Sequence, residues 1–358
     1  MTPRKKAAPR PRPKDRRLLK ALGFVLYSIV AATLLFEIII VSLLHLPRVV
    51  GASPEPLHRS IQQVYRHFNR SLIQFDPRCA RYDAGLAYTL KPGTCTFGNI
   101  EFENVYRISE PGVRDDPASL DAPEVIVVGD SHAMGWGVDQ EQALPQVLAR
   151  KLGRKVLNAA VSSYGTAREM LMLKQLNTSN LRVLVVQYSD NDLPENRTFR
   201  LNTNQLPIMS EEQYQTIVRH YGSQRTYYPG KYVYRLLMKI LRLEEPEPDQ
   251  VRMEPAPPSQ EAQLFLFTVE HGSGVRLDDV QIVVFEINEQ LTSRPFIAAV
   301  DQERRRRGRA PFINRLIAVD VAPHLTRDDF YRLDDHMNAG GHEKVAAMLA
   351  DRIRAAAR

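Results

Sequence analysis

The hydrophobic pattern divides the chain into segments of three kinds. Residues 21–46 (ALGFVLYSIVAATLLFEIIIVSLLHL) are apolar on every helical face. About 24 apolar residues at 1.5 Å per residue make a helix of roughly 36 Å, enough to cross a hydrocarbon core of about 30 Å with some tilt. Residues 54–75 place Leu57, Ile61, Val64, Phe68 and Leu72 at steps of three and four, the period of an amphipathic helix. Residues 76–122 are richer in Gly, Pro, Tyr and Thr and read as short strands and turns.

Beyond residue 122, short apolar runs alternate with helical patterns. Strands are expected at Glu124–Val128, Lys155–Leu157, Arg182–Gln187, Val280–Ile287 and Arg315–Val321, with helices at Ala143–Leu152 and Ala167–Leu176 between the first three. Apolar strands fenced by helices imply a parallel sheet covered on both faces, and right-handed crossovers make it a doubly wound α/β domain. Residues 193–279 interrupt this order. They hold helical patterns at Glu211–His220 and Tyr232–Leu243 and a Pro/Glu-rich stretch at Leu243–Gln260, and are read as an insertion that serves as a lid or substrate-recognition element. The expected organisation is a basic tail (1–20), a transmembrane helix (21–46), a juxtamembrane helix with a small strand and turn region (47–122), and a catalytic-type α/β domain (123–358) carrying the insertion.

Charge sharpens the topology. The chain of 358 residues has a formal net charge of +7, yet residues 1–20 alone hold nine Lys/Arg against one acid, so the rest is near neutral. Bulk charge therefore gives nucleic-acid binding no support. The cations precede the apolar helix and only Arg48 follows it closely. The positive-inside rule then places the N-terminus in the cytoplasm and residues 47–358 outside, in the periplasm or its equivalent. A cleavable signal peptide has an apolar stretch of about 7–15 residues, shorter than this one, although Val50-Gly51-Ala52 has the small residues of a cleavage site. Glu37 is the one ionisable group inside the apolar run, and no basic residue accompanies it within the span. It reads either as a functional carboxyl group or as a protonated one near the outer interface. In an oxidising compartment, Cys79 and Cys95, 16 residues apart, suit a local disulfide, with two buried thiols as the alternative. Arg304–Arg307 and Arg309 form a basic patch, read as a solvated helix face or a contact for phosphate or anionic glycan.

The chemistry gathers at expected strand ends. The first strand runs into Gly129-Asp130-Ser131, which places a serine hydroxyl at the head of a helix, where free N–H groups suit a developing oxyanion. The second runs into the small-residue loop Asn158–Gly165, and the third ends before Asn191. Near the C-terminus, Asp334, Asp335 and His336 cluster at the expected start of the last helix, so that His336 is a candidate base for Ser131 with an aspartate orienting its ring. His132 is read as substrate-facing or as part of the turn, Trp136 as core or pocket wall, and His342 as packing in the last helix. The His and Asp spacing does not suggest a metal site.

Over residues 123–357 these blocks resemble the SGNH hydrolase superfamily of GDSL-like esterases and acyltransferases: GDS at 129–131, the Asn158…Gly165 loop, the Asn191-Asp192 pair, and HMNAGGH at 336–342. The resemblance implies an SGNH/flavodoxin-like three-layer α/β/α sandwich with a five-stranded parallel sheet, here preceded by one transmembrane helix. It implies Ser131 as nucleophile and His336 as base, with an oxyanion hole from Ser131, Asn191 and a second-block amide at Ser163 or Gly165. Two positions depart from the family pattern. Ser163 stands where the second-block glycine is usual, and Leu333 where the usual acid precedes the histidine by three residues. Asp334, in an Asp-x-His arrangement seen in some polysaccharide-acetylating branches, is the expected acid, while Asp335, adjacent to His336, is expected to point elsewhere. The implied activity is that of an extracytoplasmic serine esterase or deacylase acting on an ester of an envelope glycan or lipid. The alternatives are an O-acyltransferase served by a membrane-bound acyl donor, and a non-catalytic binding or scaffold protein. No cofactor and no metal ion are expected.

Overall fold

The structure is a computed structural model that describes residues 13–241, 243, 255–288, 295–307 and 311–356. Most of the basic tail, most of the Pro/Glu stretch and Arg309 lie outside the described residues. The chain divides into two compact units: residues 1–46 with 227–245, and residues 47–226 with 246–358.

In chain order the helices are α1 (Pro13–Leu44), α2 (Pro47–Gly51), α3 (Glu55–Phe68), α4 (Ser131–Met134), α5 (Leu144–Leu152), α6 (Thr166–Leu173), α7 (Asp192–Leu201), α8 (Glu211–Arg225), α9 (Lys231–Ile240), α10 (Pro258–Gly272), α11 (Phe296–Arg307), α12 (Pro311–Asn314) and α13 (Ala339–Ala356). The strands are β1 (Ala80–Asp83), β2 (Ala87–Leu90), β3 (Gly93–Asn99), β4 (Phe102–Ile108), β5 (Val125–Val128), β6 (Val156–Asn158), β7 (Val183–Tyr188), β8 (Gln281–Glu286) and β9 (Leu316–Val319).

The larger unit is built on a five-stranded parallel sheet in the order β6-β5-β7-β8-β9. All five expected strands are present, each within a few residues of its expected ends. Every residue of β5, β6 and β7 is buried, which is why these strands read as unbroken apolar runs rather than alternating ones. Helices flank the sheet. α5 packs with α13, while α10 packs with α6, α7 and α11. The strand order reverses between β5 and β7, which creates a crevice at their carboxyl ends, the usual ligand position in such sheets.

Residues 47–122 belong to this same unit rather than forming a separate juxtamembrane region. α3 buries Ile61, Val64 and Phe68, the stripe its sequence period announces, together with Tyr65. Two antiparallel hairpins follow, β1–β2 and β3–β4. Cys79 and Cys95 form a disulfide, with Cα atoms 5.4 Å apart, that joins the two hairpins. Closing a loop of this length stabilises a fold by about 3 kcal/mol in the chain-entropy model. Replacing both cysteines by alanine is expected to lower the unfolding free energy by about that amount, read from the denaturant midpoint with and without reductant.

The insertion does not behave as one element. α7, α8 and α10 pack within the larger unit, whereas α9 packs against α1 in the smaller one. The expected patch on α11 is largely paired within its own helix: Arg304 and Arg305 meet Asp301, and Arg306 and Arg307 meet Glu303.

The smaller unit holds α1, whose stretch Arg16–Leu44 is long and apolar enough to cross a membrane. Phe24, Leu26, Tyr27, Ile29, Leu35 and Ile38 are all more than half exposed, so this is not the buried core helix of a soluble domain. Glu37 is buried, at 3% exposure, together with Ile40 and Leu44. Its carboxylate accepts the backbone N–H groups of Tyr232 and Val233 at 3.2 and 3.4 Å. Its partner thus comes from α9, about two hundred positions away, where a search for a basic residue within the span had no reason to look.

Candidate active site

β5 delivers the serine. Gly129 is required at its exit, because a Cβ there would lie 2.7 Å from both the Ala133 Cβ and the Gln187 Oε1. Gln187 on β7 also accepts the Asp130 N–H at 2.9 Å. Asp130 caps the four-residue α4 by accepting the His132 N–H at 2.8 Å, which places Ser131 in the first turn. Buried Arg114 holds the chain beyond α4. It donates to the carbonyls of Gly135 and Val138 and lies over the Tyr106 ring at 3.8 Å.

The structure brings Ser131, His336 and Asp334 together. The Ser131 Oγ lies 2.7 Å from the His336 Nε2. The His336 Nδ1 meets the Asp334 Oδ1 in a short contact, with the Asp335 Oδ1 at 3.2 Å. Ser131, His336 and Asp334 are 8%, 6% and 0% exposed, so these contacts are shielded from water. The acidic cluster is not at the start of the last helix. It lies in the loop before α13, which begins at Ala339. That freedom from helical geometry lets both adjacent aspartates reach one imidazole, and Asp335 does not point away as its position suggested.

The two acids are held differently. The Asp334 Oδ2 accepts the Tyr65 hydroxyl at 2.8 Å and the Trp136 Nε1–H at 3.3 Å. Asp335 is ion-paired with Arg70 at 3.0 Å and with Arg66 at 3.4 Å. Glu101, on the β3–β4 turn, accepts the backbone N–H groups of Arg332, Leu333 and Asp334 at 2.7–2.8 Å and so fixes the loop that carries the acid. Asp334, Asp335 and His336 lie close enough together to suit a cation, but their donor atoms are committed to these protein partners.

Electrostatics follow from this burial. Desolvation alone pulls His336 down, but the charges and hydrogen bonds of Asp334 and Asp335 outweigh it and raise the imidazole to about 9. Burial pushes the Asp334 carboxyl up, and the neighbouring His336 outweighs that, leaving it below its ordinary value. Asp335 is held well below its ordinary value, since Arg70 and His336 overcome its burial. His336 is sandwiched between two rings, His132 at 4.6 Å and Trp136 at 4.7 Å. Burial and the His336 charge lower His132 to about 4, so the ring stacked on His336 is neutral. His342 is buried in α13, where desolvation lowers it to about 3.

The other sequence blocks converge on the same sheet edge. Asn158 donates to the Met134 carbonyl at 3.1 Å and ties β6 to α4. Thr166 donates to Asp192 at 2.6 Å and ties the second block to the third. Asn191 turns its carbonyl oxygen to the Ser189 hydroxyl, which directs its NH2 the other way. Ser163 has φ +60°, the left-handed conformation that glycine favours, and its Oγ accepts from Gln74 at 2.9 Å. The serine therefore keeps the backbone shape of a glycine. The Gly165 N–H donates to Glu195 at 3.1 Å and is already engaged, unlike the Ser163 N–H, which meets no acceptor among the described residues.

Tyr65, Arg70, Glu101 and Arg114 were absent from the sequence-level candidates. No local spacing marks them, since each lies in the segment before the α/β core and joins the site only by folding. Trp136 was read as packing, and does pack, but its indole N–H is spent on the acid.

No family model and no curated protein matches the chain. Similar solved structures include a carbohydrate esterase family 2 enzyme with a carbohydrate-binding domain from Corynascus thermopiles (Myceliophthora fergusii). It is 13% identical at a TM-score of 0.39, with 69% of this chain and 70% of that chain covered. A protein assigned to the G-D-S-L lipolytic family, from Desulfitobacterium hafniense, is 10% identical at a TM-score of 0.35, with 63% and 97% covered. A lipase from a goat rumen metagenome is 12% identical at a TM-score of 0.32, with 65% and 96% covered. At these values the chemical reading rests on the site's own geometry.

Proposed function

We propose that this chain is a membrane-anchored serine ester hydrolase whose catalytic unit lies outside the cytoplasmic membrane and acts on acyl esters of a cell-envelope glycan or lipid. The observation that carries the enzymatic reading is the 2.7 Å contact between the Ser131 Oγ and the His336 Nε2, with an aspartate on the far ring nitrogen. That is the geometry of an activated nucleophile. A scaffold protein has no need to bury and align these groups from residues 205 positions apart.

Neutral His336 takes the Ser131 proton on Nε2 as Oγ attacks the ester carbonyl carbon. Asp334 holds the Nδ1–H and stabilises the imidazolium that forms. The tetrahedral oxyanion is received by the Ser131 and Ser163 backbone N–H groups and the Asn191 NH2. Collapse breaks the bond to the alcohol oxygen, which leaves with the proton from His336. Water then gives a proton to His336 and attacks the acyl-enzyme carbonyl; collapse breaks the bond to the Ser131 Oγ, which takes that proton back from His336 as the carboxylic acid leaves. The disulfide and the run of cations before the apolar stretch support an exported catalytic unit with a cytoplasmic N-terminus.

The test is covalent labelling of the purified full chain with a fluorophosphonate. Labelling is expected in the parent and absent in Ser131→Ala and His336→Ala. Equal labelling of all three proteins excludes this serine. The reaction should also carry the signature of its base. Because His336 acts only when neutral and sits at about 9, kcat/KM for a short acyl ester should rise about tenfold per pH unit and level off near pH 9. Asp335→Asn removes one of the charges that raise His336, so the limb should move to lower pH. A parent profile levelling off near 6.5, or an Asp335→Asn limb moved upward, contradicts the electrostatic account.

A further inference from the structure

α9 is an unusual element for a water-soluble surface. Tyr234 and Leu237 are about half exposed, Ile240 is 75% exposed, and Tyr227, Leu241 and Leu243 beside the helix are more than half exposed. Arg235 and Lys239, four residues apart, share one side of the helix, with apolar side chains over most of the rest, while Lys231 in the same row is buried. An apolar face joined to a narrow cationic stripe is the composition of a helix lying in a lipid interface. Tyr227, Tyr228 and Tyr234, all exposed, add the amphipathic rings enriched at headgroup level.

Its docking gives the depth. α9 packs on α1, and its first-turn N–H groups are received by the buried Glu37 carboxylate. These N–H groups have no intrahelical acceptor, and a bilayer has no water to supply one. A carboxylate on a lipid-facing helix is equally in need of donors. Each therefore removes the other's cost, and the carboxyl oxygens sit at the positive end of the helix dipole. Glu37 precedes the end of α1 at Leu44 by seven residues, about 10 Å at 1.5 Å per residue. That is the depth of the headgroup and acyl boundary, where interfacial helices lie about 5–10 Å deep. The ten residues of α9 span only about 15 Å, too few to cross.

We infer that residues 227–241 are a second membrane element: an interfacial helix folded back onto α1 and embedded in the outer leaflet, its apolar face against acyl chains and its cationic stripe toward anionic headgroups. The bilayer then contacts the chain at two stretches far apart in sequence. Glu37 is the docking group for the second, and α1 is retained rather than removed as a signal. This inference rests on α1 crossing the membrane and is independent of the esterase chemistry.

The test uses the full chain in nanodiscs at one copy per disc, with anionic lipids whose acyl chains are plain or brominated. Trp136, the single native tryptophan, is buried and provides the baseline. Ile29→Trp reports α1 and Leu237→Trp reports α9. The added emission of both is expected to fall at least twofold with brominated chains, with Leu237→Trp shifted to the blue. Quenching of Ile29→Trp but not of Leu237→Trp overturns the inference while leaving the anchor intact, and assigns the apolar face of α9 to water, a second copy or a protein partner. Quenching of neither overturns both. Placed in the Leu237→Trp protein, Glu37→Leu should lose most of the quenching. Glu37→Gln, which keeps an acceptor oxygen, should retain it, and Ile29→Trp quenching should persist in both. Undiminished Leu237→Trp quenching in Glu37→Leu removes Glu37 as the docking group. Fluorescence needs no turnover, so this result and the fate of the esterase reading are told apart.

Discussion

Ser131→Ala is expected to lower kcat for hydrolysis of a short acyl ester by roughly 10⁴- to 10⁶-fold, with little change in KM or in the unfolding midpoint. In the proposed reaction the Ser131 hydroxyl forms the acyl-enzyme, while ester binding depends on the surrounding crevice, which the substitution leaves in place. The side chain is 8% exposed and its one described side-chain partner is the His336 imidazole, so the lost oxygen opens no large cavity. Steady-state kinetics on the full chain in detergent, with a circular-dichroism melt as the folding control, measures both quantities. Activity within tenfold of the parent would show that another residue performs the attack.

The second large effect separates the two adjacent aspartates. Asp334→Asn should lower kcat by about 10⁴-fold, because an amide that donates to Nδ1 fixes the wrong tautomer and leaves Nε2 unable to accept the serine proton. Tyr65 and Trp136 both donate to the Asp334 Oδ2. An asparagine oxygen can satisfy those two donors only by turning its NH2 toward His336, so the surroundings themselves select the inactive arrangement. Asp335→Asn keeps Asp334 on Nδ1 and should retain most of kcat at its own pH optimum, its main effect being the shifted profile described above. Comparable losses for the two variants would mean that the acids act as one unit. A greater loss for Asp335→Asn would reverse the assignment.

Much of the fold was legible in the sequence because its determinants are local. The five strands were read from short apolar runs, and Ser131, Asn158 and Asn191 were placed at or just beyond strand ends. The parallel sheet then needs only right-handed crossovers to bring those ends to one edge. The insertion was less legible. The pattern in Tyr232–Leu243 marks a helix, but periodicity says nothing about what covers it, and α9 packs on α1. The segment before residue 122 shows the same limit. A change from helix and turn composition to alternating strands and helices looks like a domain edge, yet α3 and the β3–β4 hairpin supply Tyr65 and Glu101 to the acid loop.

By itself, the sequence determined the α/β class, the apolar N-terminal helix, the cysteine pair and which serine and histidine to bring together as candidates, since each is written in composition, period or a short contiguous motif. Tertiary structure alone decided which aspartate lies nearest the imidazole, what orients that aspartate, how a serine keeps a glycine's backbone shape, and where Glu37 finds its donors. Those answers depend on distances between groups tens to hundreds of residues apart. Such distances are set by the packing of whole elements, and no local pattern encodes them.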